Sequence, residues 1–140
     1  MFKLLSHTAD IRILARAESL EELFESALEG LCNVICEDFE SIKNSAQKLP
    51  SFAVPIETSS FDLSSLLIDF LSDCLSYMHL NNSILFKLSE IDLKSNSIKA
   101  IVSGLKVESF DNDVKAVTYH DANITKDKNK MYEVTITLDI

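Results

Sequence analysis

Residues 62–93 read DLSSLLIDFLSDCLSYMHLNNSILFKLSEIDL, and the pattern changes part-way through. Up to residue 78 the apolar side chains are Leu63, Leu66, Leu67, Phe70, Leu71, Cys74, Leu75 and Met78. They recur at spacings of three and four, the period of one helix face, so a helix begins near Asp62. Asn81-Asn82 favour a turn and end it. From Ser83 the period is two. Ser83 to Leu93, Ser97 to Val107, Val114 to Thr125 and Met131 to Asp139 each read as strands, with the polar tract 126–130 as a hairpin turn. In the last strand Tyr132, Val134, Ile136 and Leu138 face one way. Glu133, Thr135, Thr137 and Asp139 face the other, which predicts a sheet with one wet face.

Upstream, residues 11–17 alternate as a strand. Ser19 stands three residues before Glu22, the spacing of a capping box. Leu20, Leu23, Phe24, Ala27, Leu28, Leu31, Val34 and Ile35 then trace the buried stripe of a helix. Gly30 within it permits close packing. Residues 51–57 alternate again but contain Pro55, which donates nothing to a ladder, so this is an edge strand or a strand end. Two helices, each apolar along one stripe, would cover one face of the sheet. The expected fold is α+β: a two-layer sandwich, two long helices on a mostly antiparallel or mixed sheet, with residues 1–140 as one domain.

The 140 residues carry 13 Lys and Arg against 22 Asp and Glu, a formal net charge of −9. That balance argues against direct capture of nucleic acid, though not against a basic partner protein. No apolar run approaches the ~18 residues of a membrane span, and the first residues lack the apolar core of a signal peptide. Three cysteines, an odd count, point with that to a reduced, cytoplasmic setting. Cys32 and Cys36 are four apart without a second ligand pair, and read as core residues rather than a metal site. Phosphate loops, nucleophile elbows and zinc-protease helices are all missing.

Three short segments stand apart: Ser6-His7-Thr8-Ala9-Asp10, Val114-Lys115-Ala116-Val117-Thr118-Tyr119-His120, and the final Thr137-Leu138-Asp139-Ile140. With Leu20-Glu21-Glu22-Leu23-Phe24 between them, they resemble, in order, the motifs of the archease family, small protein activators of the RtcB-type RNA ligase. The seven residues from Val114 to His120 match at every position. Departures are Ser6, where the family usually carries Asp, and Asp69-Phe70-Leu71-Ser72-Asp73-Cys74-Leu75, which lacks the family's Trp and Glu. Gly104-Leu105-Lys106 replaces its Gly-Glu pair, with a short connection to Val114.

The resemblance implies an archease fold around an SHS2-like module. It also implies a metal site made of Asp10, Asp139 and Ile140, the last through its α-carboxylate or main-chain oxygen. Carboxylates held close repel, and a cation relieves the repulsion; an all-oxygen set suits Ca²⁺, with Mg²⁺ or Mn²⁺ as alternatives. Spacing alone leaves open a plainer reading, in which Asp10 only caps a turn. His7 and His120 either support a metal-binding carboxylate or order their own backbone. Lys115 is either a partner contact or an exposed strand lysine. Glu21, Glu22, Glu25 and Glu29 either dock on a basic surface or face solvent.

By that resemblance the chain is a non-enzymatic activator of an RtcB-type RNA ligase. It promotes guanylylation and multiple turnover in tRNA splicing and RNA repair. A metal-dependent hydrolase and a general RNA-protein adaptor or chaperone-like module are the rival classes.

Overall fold

The computed structural model describes residues 10–45 and 52–140. Each long helix starts at a side chain that satisfies a backbone donor lacking an intrahelical partner. The Ser19 hydroxyl accepts from the N–H of Glu22 at 3.2 Å, and helix α1 (Leu20–Ile35) follows. The return bond of a full capping box, from the Ser19 N–H to the Glu22 carboxylate, is absent among the described residues. Asp62 accepts from the N–H of Ser65 at 2.7 Å and opens helix α3 (Leu63–Asn81). That helix ends at Asn82, whose left-handed backbone (φ 47°) an asparagine tolerates better than most residues. Between the two lies a short helix the periodicity did not suggest, α2 (Phe39–Ser45).

The strands are β1 (Asp10–Ala17), β2 (Phe52–Ser59), β3 (Ser83–Leu93), β4 (Ser97–Lys106), β5 (Ala116–Thr118), β6 (Thr125–Lys126) and β7 (Tyr132–Asp139). The α+β class is as expected, but the strands divide into two sheets. One has the order β2-β4-β3, the other β1-β7-β5 with β6 also on β7, and every pairing is antiparallel. Pro55 lies on β2, an edge strand, as its missing N–H requires. The expected strand 114–125 is interrupted. Only its two ends pair with β7, and the middle turns at Asp121 (φ 56°), where the Tyr119 carbonyl accepts from the N–H of Ala122.

Both long helices contact strands of both sheets, so the core is continuous from one sheet to the other. Phe24 of α1 meets Phe70 of α3 at 5.8 Å between ring centroids, and both are fully buried. Burial of such a ring is worth about 1.5–3 kcal/mol. Gly30 lets α1 lie on β1: a Cβ there would sit 2.6 Å from Ile13 Cγ2. All three cysteines are buried and free. The Cys32 thiol donates to the Leu85 carbonyl at 3.1 Å, and burial pushes its pKa far up, so it behaves as a core residue. Among the described residues, no helix is long and apolar enough to cross a membrane.

Candidate functional site

Pairing of β1 with β7 sets Asp10 directly across from Asp139. Opposed residues of an antiparallel pair project to the same face, with Cβ atoms about 5 Å apart. Both carboxylates are exposed, and neither is hydrogen-bonded or ion-paired among the described residues. On the other edge of β7, Ala116 of β5 stands opposite Asp139. The N–H of Lys115 donates to the main-chain carbonyl of Asp139 at 2.7 Å, which pins the end of β7. Ile140, half-buried, packs on the core just beyond.

The segment carrying Lys115 and His120 is laid along α3 and fastened at three levels. At the C-terminal end, His79 Nε2 lies 3.3 Å from the Val114 carbonyl, and its ring stacks edge-on against Phe110. In the middle, the Tyr119 hydroxyl donates to the Asp69 carboxylate. Near the N-terminal end, the Ser64 hydroxyl accepts from the N–H of Ile124 at 3.0 Å. Residues 114–124 therefore run antiparallel to the helix, spanning about 22 Å at 1.5 Å per residue. The bond to Asp69 raises the Tyr119 pKa, because the proton it shares is harder to remove.

His120 points its ring at Asp121, Nε2 to Oδ2 3.2 Å, with both side chains largely in solvent. Its backbone carbonyl accepts from Thr137 Oγ1 at 3.4 Å, which covers Thr137 and narrows the expected wet face. His7 lies outside the described residues. Lys115 has an exposed side chain. Of the glutamates, Glu21 and Glu22 are exposed, but the other two make internal ties. Glu25 accepts from the N–H of Leu88 at 2.8 Å, beside the bulge at Phe86, and Glu29 pairs with Lys43 of α2.

The donor chemistry around Asp10 and Asp139 fits a hard divalent cation. It is all oxygen, doubly negative, exposed, and not taken up by other side chains. Among the described residues, no group of three or more His, Cys, Asp and Glu side chains is placed to hold a metal ion. Two aspartates and the main-chain oxygens at Ile140 fall short of the about six to eight oxygens Ca²⁺ takes, leaving positions for water or a second molecule. Sequence patterns gave no signal for Asp69 as the partner of Tyr119, since that bond joins residues 50 apart. Alternation did carry a signal for Arg12, which shares the exposed face of β1 with Asp10.

Residues 2–140 match the Archease protein family. The chain belongs to the archease family. A protein archease from Methanosarcina mazei is 33% identical over 133 residues, covering 89% of this chain and 86% of that protein. One from Pyrococcus furiosus is 33% identical, over 86% of this chain and 84% of its own length. The fold agrees with two solved structures. A Thermotoga maritima archease, described as a possible chaperone, superposes with a TM-score of 0.68 at 20% identity over 100% of this chain and 98% of its own. Methanobacterium thermoautotrophicum protein 1598 gives 0.71 at 24% identity, over 99% and 96%. The Asp10 and Asp139 pair sits within the matched span.

Proposed function

We propose that this chain is a non-enzymatic activator of an RtcB-type RNA ligase, acting in the cytoplasm to promote ligase guanylylation and repeated turnover in tRNA splicing or RNA repair. Family membership supports the partner class. The observation that carries the site is the β1–β7 register, which opposes two exposed carboxylates on one sheet face. In this reading Asp10 and Asp139, with a main-chain oxygen of Ile140, hold a divalent cation, Ca²⁺ being the best match and Mg²⁺ or Mn²⁺ alternatives. A cation held there supplies positive charge that offsets phosphate charge during nucleotidyl transfer.

The chain's own contribution is positional. The β1–β7 pairing holds the two carboxylates, the bond from Lys115 N–H fixes the end of β7, and the strap along α3 keeps residues 114–120 beside them. Incomplete coordination at an exposed sheet end suits presentation to a second protein rather than enclosure of a substrate. Binding along the body of the RNA is left to the ligase, in keeping with the −9 charge.

The test is RNA joining at limiting ligase with GTP and Mn²⁺, using ends that carry a 2′,3′-cyclic phosphate and a 5′-hydroxyl. Expected is product well beyond one turnover per ligase only when this chain is added, and loss of that gain in Asp10→Asn and Asp139→Asn. No stimulation of an active cognate ligase would end the activator reading. Full stimulation by both variants would remove the carboxylate pair from it, and phosphoester turnover by the chain alone would contradict a non-enzymatic role.

A further inference from the structure

The chain has two arginines, and both lie on the exposed face of β1. Arg16 is engaged: it pairs with Asp127 and, at 3.5 Å, with Glu133. Arg12 is not, making no hydrogen bond or ion pair among the described residues. It is two residues from Asp10 on the same face and stands opposite Thr137, itself two residues from Asp139. Positions two apart along a strand are about 7 Å apart, and opposed positions about 5 Å. Asp10, Asp139, Arg12 and Thr137 thus mark one patch of the sheet. Among the described residues, an unpaired guanidinium stands beside two unpaired carboxylates, in a chain of net charge −9.

The charge balance of this patch depends on its cation. Asp10, Asp139 and Arg12 sum to a single negative charge, or to two with the Ile140 α-carboxylate, which repels an anion; a divalent cation reverses the first sum and cancels the second. A planar guanidinium presents a fork of donors that matches the oxygens of a phosphate, and a hard cation beside it binds the same oxygens. We propose that Arg12 and the cation held by Asp10 and Asp139 together bind a terminal phosphate group, carried by a nucleotide or by an RNA end. This rests on the cation site of the preceding section. It adds the class of ligand the open coordination positions accept, and a residue that selects it.

The experiment is calorimetry on the full chain in two stages. Ca²⁺ is titrated first. GTP, a short RNA with a 3′-phosphate, and the same RNA without it are then titrated at saturating Ca²⁺ and again in EDTA. Wild type is expected to bind a phosphate-bearing probe only with Ca²⁺ present, and the probe that binds identifies the source of the phosphate. Arg12→Gln should weaken that binding at least tenfold while leaving Ca²⁺ affinity equal or tighter, since it removes a like charge. Arg12→Lys should recover part of the loss, and Lys87→Gln, an exposed residue of the other sheet, should change nothing. Ca²⁺ binding with no phosphate binding, or equal phosphate binding by Arg12→Gln, overturns this inference alone. Failure of wild type to bind Ca²⁺ removes the cation site, and this inference with it.

Discussion

Replacing Asp10 by Asn should stabilise the cation-free protein and leave it less stable than wild type when cation is present. The magnitude follows from the register. Asp10 and Asp139 are opposed across β1 and β7 and exposed to water. Two unit charges about 5 Å apart in that setting repel by about 0.5–1 kcal/mol. The variant removes this repulsion together with the opposing attraction of Asp10 to Arg12 at about 7 Å, a net gain of a few tenths of a kcal/mol. With cation at about a hundred times its Kd, wild type gains about 2.7 kcal/mol that the variant forgoes. For a chain of 140 residues, 1 kcal/mol moves the thermal midpoint by about 3–4 °C. In EDTA the variant should therefore melt about 1 °C above wild type; in saturating Ca²⁺ wild type should rise by about 8–10 °C and lead. The chain has no Trp, so far-UV circular dichroism is the natural probe. A variant that melts below wild type in EDTA would refute the opposed-charge geometry, and an equal Ca²⁺ shift in both would refute the role of Asp10 in holding the cation.

Three further outcomes are expected. Gly104→Ala places a Cβ 1.7 Å from the backbone carbonyl oxygen of Ile84, which has no side-chain torsion to relieve it. The urea midpoint should report a loss of about 3 kcal/mol or more. Glu25→Ala leaves the Leu88 N–H without its acceptor and should cost about 1–2 kcal/mol, with faster amide exchange at Leu88 and a smaller effect for Glu25→Gln. The Tyr119 pKa is raised in the folded chain by its bond to Asp69. Its stabilising effect is therefore complete below the unfolded tyrosine value of about 10 and fades as pH rises through the folded one. Tyr119→Phe should remove that alkaline dependence, measured as the difference in denaturation midpoint between pH 8 and pH 11.

The long elements were legible because burial imposes their period. The stripe from Leu20 to Ile35 and the strand from Ser83 to Leu93 occur with those bounds. Pairing was not legible: alternation says that a segment is a strand, not which strand it joins, and β1 finds β7 at the far end of the chain. The segment 114–125 alternates like a strand but is held by side chains of α3, which a local pattern does not reveal. Glu25 and Glu29 looked like parts of one solvated run, yet a bulge in β3 and the short helix α2 each take one of them. Asp10 and Asp139 were picked out by family resemblance; their opposition on one sheet face comes from the register.

The two sheets ask very different things of the chain as it folds. The sheet β2-β4-β3 is assembled from residues 52–106, whereas the other waits for residues 10–17 to meet residues 132–139. Closing the longer loop costs more entropy and slows the step that depends on it. Helix α1 and the first sheet can therefore collapse while β1 is still unpaired. Asp10 and Asp139 come together only when that last pairing is made, so any ligand that needs both is blind to partly folded chains. Its binding would act as a latch on the final step, slowing the unzipping of β1 from β7 without affecting the sheet that formed first.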